Sequence, residues 1–204
     1  MKLLIKRIAD ILISCGALLI TAPLGAIIAL AMRLCDRGPV LFRQTRPGYK
    51  GIPFTLLKFR TMSDSRDDQG FLLADTARLT AIGKFLRRTS LDELPQFWNV
   101  VRGDMSLVGP RPLLMKYMER YTAEQLRRHD VKPGMTGWAQ IHGRNAVTWS
   151  ERFALDLWYV DHWCLTLDAW ILLQTPLQIL KRTGISQPGH VSMPEFLGSE
   201  QSKQ

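Results

Sequence analysis

The chain has 204 residues at 23.3 kDa, which is room for one domain of ordinary size, or one domain plus an appendage. Apolar residues make up 46% and charged residues 22%, with a mean hydropathy of −0.04; these values exclude a disordered tail, a collagen-like repeat and a multi-span membrane protein. Lys plus Arg number 27 against 18 Asp plus Glu, and the resulting +9 favours an anionic partner: nucleic acid, an acidic lipid surface or a phosphorylated substrate.

The first element is the most unusual. From Ile11 to Met32 no residue is charged, and 17 of those 22 positions are apolar. As a straight helix this stretch would span about 33 Å, enough for a hydrocarbon core of about 30 Å. The stretch is longer than a signal peptide needs and Arg33 and Arg37 follow it directly, so it reads as retained rather than as a signal peptide. Lys2, Lys6 and Arg7 precede it and Arg33, Arg37, Arg43 and Arg46 follow it, so both flanks ask for the same side of a membrane. Pro23 sits near its middle and removes one helical hydrogen bond. Charge and proline leave two forms open: a kinked span, or a helix broken at Ala22–Pro23 that enters and leaves one leaflet.

Residues 40–61 predict two strands around a turn at Arg46–Gly51. Ser63–Gly70, rich in Asp and Arg, predicts a solvated loop, and residues 71–88 a partly helical stretch ending in Lys84, Arg87 and Arg88. Ser90 and Glu93 fit a capping box for a helix whose apolar positions are Leu91, Leu94, Phe97, Trp98 and Val101, stopping at Gly103. Tyr117–His129 predicts another helix, and Lys132–Asn145 a glycine-rich loop. Trp149–Leu180 predicts helix punctuated by Pro176; its Trp158, Tyr159, Trp163 and Trp170 suit either a membrane interface or the core, and Asp161 and Asp168 argue against crossing. The three cysteines form no CxxC pair and cannot all pair, which points to a reducing, cytosol-facing body. The four histidines lack metal-site spacing, so no zinc site is expected.

Candidate chemistry gathers around Asp92 and Glu93. Arg87 and Arg88 precede them, and Arg111 follows within Val108-Gly109-Pro110-Arg111-Pro112, where two prolines fix the backbone around a guanidinium suited to bidentate phosphate binding. Carboxylates inside an anion site would repel a phosphate unless a divalent cation intervened, and Mg²⁺ takes one or two carboxylates plus substrate phosphates. Metal-assisted phosphate chemistry and simple helix capping both account for the pair. Lys58, at a strand end, could add a phosphate contact. Lys132–Trp138 lacks the spacing of a P-loop or dinucleotide fingerprint.

Taken together, Lys6–Asp10, Lys58–Met62, Arg87–Gln96, Asn99–Pro112, Pro133–Ala146 and Asp156–Val160 resemble the bacterial sugar transferase family, the monotopic phosphoglycosyl transferases, in its short form. The resemblance implies a mainly helical α+β fold with a small β-hairpin and amphipathic interfacial helices. It also implies a re-entrant membrane helix-break-helix over 1–36 and a catalytic domain over 37–204 on the cytoplasmic face of the bacterial inner membrane. The family often carries Ser-Pro at the break; here Ala22-Pro23 keeps the proline, and Thr21 is the candidate for a compensating hydroxyl.

The resemblance further implies transfer of a sugar-1-phosphate from a UDP-sugar to polyprenol phosphate with release of UMP. Asp92 would be the nucleophile and Glu93 the Mg²⁺ ligand, with Asp92 as a second ligand. Arg88, Arg111 and Lys58 would bind substrate phosphate, and Asp156 is a further candidate. No nucleic-acid partner is expected. The ending Gly184–Val191 leans toward a UDP-linked N-acetylated deoxyamino sugar such as diacetylbacillosamine. Two other classes compete: a non-catalytic basic membrane-anchored anion- or lipid-binding protein, and a glycosyltransferase that releases UDP, for which the usual DxD motif is missing.

Overall fold

The computed structural model describes residues 1–35, 38–143, 147–181 and 195–198. Arg37, Arg144 to Ala146 and Gly184–Val191, which carried parts of the sequence reading, lie outside the described residues. The protein is a mainly helical α+β molecule with a long apolar N-terminal helix and a small antiparallel hairpin.

Helix α1 runs from Lys2 to Cys35 without interruption, about 51 Å at 1.5 Å per residue. The residues on either side of Ala22–Pro23 belong to one helical element with the proline inside it. A single proline removes one of many hydrogen bonds, and the apolar run on both sides of it favours helix. Thr21 Oγ1 donates to the Ala17 carbonyl at 2.7 Å, a back-bond of the kind that eases helix bending. Among the described residues α1 is the one helix long and apolar enough to cross a membrane, and most of its side chains are uncovered by the rest of the molecule.

Both ends of α1 nevertheless touch the body. Near its start Arg7 donates to the carbonyls of Val100 and Val101 at 2.6 and 2.8 Å, capping the helix that ends at Arg102. Asp10 accepts from the Leu107 amide at 3.1 Å, and Lys6 binds Asp168 at 2.5 Å. Near its end Ile28 and Met32 are buried in an apolar cluster with Phe59 and Leu86.

Strands β1 (Leu41–Pro47) and β2 (Pro53–Phe59) pair antiparallel around a 3₁₀ turn at Tyr49–Gly51, as their sequence predicts. Residues 63–70 form the expected loop, followed by α2 (Asp75–Arg78) and α3 (Ala81–Thr89). The predicted capping box does not form. Ser90 is left-handed (φ 58, ψ 16) and ends α3, Leu91–Glu93 is a 3₁₀ turn, and α4 begins at Gln96 and runs to Arg102. The physical reason is that the Glu93 carboxylate is taken by two cations, a stronger pairing than one backbone N–H. Gly103 stops α4 with φ 94, as expected.

Strand β3 (Ser106–Val108) pairs in parallel with β4 (Gly134–Thr136), so the predicted loop from Lys132 contains a strand and then helix α6 (Trp138–Ile141). The glycines permit this by close approach: a Cβ on Gly134 would lie 2.1 Å from the Gly109 amide nitrogen. The single helix predicted over Tyr117–His129 is instead a 3₁₀ turn (Met115–Arg120), helix α5 (Ala123–Leu126) capped by Thr122 and Gln125, and a second 3₁₀ turn at Arg127–His129. The Thr122 cap fixes a new start inside the stretch.

The last helical region divides at Trp163–Cys164 into α7 (Trp149–His162) and α8 (Leu165–Lys181); Pro176 lies within α8 rather than ending it. Tyr159 is a core residue, whereas Trp158 and Trp170 are 38% and 45% exposed. Two larger apolar clusters complete the interior: Leu56, Val100, Met105, Leu107 and Val108 with α6–α8, and Tyr117, Tyr121 and Phe153 around Phe196.

Candidate active site

Three segments converge on the carboxylate pair. Leu91 and Leu94 are three residues apart and pack on the cluster of Ile28, Met32, Phe59 and Leu86, which turns Asp92 and Glu93 toward the hairpin. Lys58 comes from the end of β2, which is stitched to α4 by Asn99: its amide nitrogen donates to the Thr55 carbonyl at 2.7 Å and its oxygen accepts from the Leu57 amide at 3.0 Å. Arg111 comes from the proline-flanked segment after β3.

Glu93 is held on both sides. Lys58 Nζ donates to Oε1 at 2.8 Å, Arg111 Nη2 makes a short bond to the same oxygen, and Arg111 Nη1 reaches Oε2 at 3.4 Å. Burial disfavours its charge, but the guanidinium and the ammonium outweigh that cost and hold the carboxyl far below its usual range. Asp92 differs. It is buried, and Lys58 Nζ lies 3.8 Å from Oδ2, outside hydrogen-bonding range. Burial and then the charge of Glu93 raise its pKa from 3.8 to about 6, against the opposing pull of Lys58, Arg111 and Arg87. Two adjacent carboxylates thus have opposite electrostatics: one neutralised, the other under-solvated and close to cations.

The structure brings together Lys58, Asp92, Glu93 and Arg111. Arg88 is exposed on α3, whereas its neighbour Arg87 turns inward, donating from Nε to Thr61 Oγ1 at 2.9 Å with Asp92 within electrostatic reach. Asp156 acts one step removed. Buried on α7, it binds Arg128 through Nε and Nη2 at 3.1 and 2.7 Å, and Arg128 Nη2 also donates to the Arg111 carbonyl at 2.8 Å. Asp156 therefore positions Arg111 rather than facing the carboxylate pair. Sequence reasoning missed Arg128 and Arg46. Arg46 donates to the Pro112 carbonyl at 3.4 Å, and burial followed by the nearby Arg111 lowers its pKa to about 10. The Arg46-Pro47-Gly48 triplet, a basic residue entering the hairpin turn, was the available signal.

Among the described residues no cluster of three or more His, Cys, Asp or Glu is disposed to hold a metal. The pair itself suits a magnesium-type set, which needs one or two carboxylates when substrate phosphates supply the rest. Asp92 has open acceptor capacity, and Glu93 Oε2 bears a single long bond from Arg111.

Comparison with known proteins supplies the context. Residues 1–182 match the family model described as bacterial sugar transferase. The chain is 51% identical over 197 residues to the uncharacterized sugar transferase EpsL of Bacillus subtilis, covering 97% of this chain and 98% of that protein. It is 44% identical over 182 residues to the UDP-glucose:undecaprenyl-phosphate glucose-1-phosphate transferase of Escherichia coli, covering 84% of this chain and 39% of the relative. It is 40% identical over 198 residues to the undecaprenyl-phosphate galactose phosphotransferase of Salmonella typhimurium, covering 88% and 41%. The chain spans about two fifths of the length of these last two relatives. With a family match across most of its length, this chain is a member of the bacterial sugar transferase family.

Proposed function

We propose that the protein transfers a sugar-1-phosphate from a UDP-sugar to polyprenol phosphate through a covalent aspartyl intermediate. The observation that carries this reading is the asymmetry of the pair: Asp92 is buried, weakly bonded and cation-flanked, while Glu93 is ion-paired to Lys58 and Arg111 chiefly through Oε1. An Asp92 oxygen attacks the donor's β-phosphorus, the bond from that phosphorus to the bridging oxygen breaks, and UMP leaves with the electron pair. The acceptor's phosphate oxygen then attacks the same phosphorus, restoring the Asp92 carboxylate and forming polyprenyl-diphosphate-sugar. Arg111 and Lys58 balance phosphoryl charge, and Asp156 holds Arg111 through Arg128. A Mg²⁺ held by Glu93 and Asp92 with the substrate phosphates would neutralise the diphosphate.

The relatives from Escherichia coli and Salmonella support UDP-sugar and undecaprenyl phosphate as the substrate classes, and their names carry glucose and galactose. The N-acetylated deoxyamino sugar expected from the ending of the chain rests on residues outside the described ones. Transfer is the first step of building a glycoconjugate such as a protein glycan, O-antigen or capsule. Membrane attachment on the cytoplasmic face of the inner membrane is supported by α1, whose two ends both contact the body, and by the basic residues at each end.

The test is direct. Incubation with UDP-glucose, UDP-galactose or UDP-diacetylbacillosamine without acceptor should release UMP once per protein and leave a phosphosugar on a peptide containing Asp92. Release of UDP, or UMP without an adduct, would overturn the covalent reading. A cysteine placed at residue 2 should resist a membrane-impermeant label added outside sealed cells; labelling would overturn the one-sided topology.

A further inference from the structure

The phosphoryl chemistry makes no use of residues 195–198, yet this short stretch is docked by side chain and backbone alike. Phe196 is 1% exposed, its ring set among those of Tyr117, Tyr121, Trp149 and Phe153 at centroid distances of 5.7, 5.9, 5.4 and 5.1 Å. Its amide donates to Tyr117 Oη at 3.2 Å, and its carbonyl accepts from Arg120 Nη1 at 2.5 Å. Glu195 adds ion pairs to Lys116 and Arg120 at 2.6 and 2.8 Å. Those side chains are partly exposed and solvent screens them, so the buried ring carries most of the docking.

The cluster that Phe196 fills is also the footing of Arg111. Leu113, two residues on from Arg111, is buried in it. The backbone between them is held by two cations: Arg128 donates to the Arg111 carbonyl at 2.8 Å and Arg46 to the Pro112 carbonyl at 3.4 Å. The Arg128 guanidinium lies over the rings of Tyr121 and Phe153, 5.8 and 5.9 Å from their centroids, and Phe196 packs against both of these rings. Tyr117 and Tyr121 also lie within electrostatic reach of Arg46. A buried ring cannot be deleted without leaving a cavity, and its neighbours relax into that space. Here the neighbours are the groups that set where the Arg111 backbone stands, and Arg111 in turn pairs with Glu93.

We propose that Phe196 is a positioning residue of the active site: by filling the aromatic cluster it fixes the Arg128 and Arg46 contacts to the 111–112 backbone, and with them the aim of the Arg111 guanidinium. The assignment rests on the transferase reading, in which Arg111 balances phosphoryl charge.

The test uses the full chain in lipid nanodiscs, with Phe196→Ala to empty the position and Phe196→Leu to keep much of its apolar volume. Each variant is assayed well below its own unfolding midpoint. Phe196→Ala should lower kcat of UMP release about tenfold with KM for UDP-sugar little changed, because Arg111 acts on charge that develops in the transition state. Phe196→Leu should recover most of that loss. A double-mutant cycle separates positioning from general stability: in Arg111→Lys, where the guanidinium is gone, adding Phe196→Ala should cost less than about twofold. A further loss as large as in the wild-type background would overturn the proposal, as would wild-type kcat in Phe196→Ala. Hydrogen exchange needs no turnover, and at the Arg111, Leu113 and Leu114 amides it should quicken about tenfold in Phe196→Ala while that of α4 stays unchanged. Unchanged exchange at those amides would overturn the assignment by itself. A wild-type protein that releases no UMP would instead fail the transferase reading, and the exchange measurement would still decide whether Phe196 holds the Arg111 backbone.

Discussion

Asp168 and Asp92 are both buried carboxylates, and each has a lysine near it. At Asp168 the donors converge fully: Lys6 at 2.5 Å, Tyr159 Oη at 2.6 Å and Trp163 Nε1 at 3.0 Å. The Tyr159 hydroxyl, buried beside that carboxylate, has its pKa driven far above the usual range, so it stays a donor. At Asp92 the lysine stands 3.8 Å away and is committed to Glu93 instead. The first arrangement spends its hydrogen bonds on fixing α1 and α8 to the body. The second withholds them from one oxygen pair, which leaves a buried carboxylate under-solvated. The difference lies in how many donors are satisfied, since burial is alike.

Substitutions can break or sharpen this contrast. The largest effect is expected for Asp92→Asn, which should reduce UMP release by at least about 10³-fold, or about 4 kcal/mol. Circular dichroism should remain that of the wild type. Next, Asp168→Asn should lower stability by about 3 kcal/mol, because it leaves Lys6 largely buried without its anion. Thermal unfolding in detergent measures this loss, and a wild-type melting curve would show that the network is not a fastener. Glu93→Gln follows, with about 10²-fold slower UMP release, or about 2.7 kcal/mol, and a weaker response to added Mg²⁺.

The pH dependence has a definite sign. With Asp92 at about 6, the ionised fraction falls as pH drops, so kcat/KM of the donor step should decline about tenfold per unit well below that value and level off above it. Between 3.8 and about 6 the folded protein binds the proton more tightly than the unfolded chain does, so wild-type stability should fall as pH rises through this window. Asp92→Asn should abolish that slope, which unfolding curves at pH 4 to 7 would measure. The smallest effect belongs to Ser90→Gly, which relieves a left-handed serine and should raise stability by up to about 1 kcal/mol.

Much of the site was legible because its members carry distinctive local signals. The Asp92-Glu93 pair amid arginines, the proline-framed Arg111 and the strand-end Lys58 all meet in space. Arg87 and Arg88 could not be told apart in advance, since neighbours on a helix point about 100° apart and nothing local sets the rotation of α3. That rotation is fixed by Gly83, where a Cβ would lie 1.9 Å from the Thr61 carbonyl oxygen, and by the burial of Leu86. The capping box at Ser90 was a sound local pattern defeated by tertiary cations. Strand β4 was missed because a three-residue parallel pairing has no periodicity to read. The Lys6–Asp168 pair joins residues 162 positions apart, and no local pattern announces such a partner.

That last separation also sets an order of events during synthesis. The apolar helix leaves the ribosome ahead of the body, and the carbonyls gripped by Arg7 and the carboxylate gripped by Lys6 are made much later. At about 5–20 residues per second, Asp168 trails Lys6 by roughly 8–30 s. The polar start of α1 is therefore without these partners until the body has been made. The nascent body then closes onto a helix made long before it, so docking of the finished body is what completes these contacts.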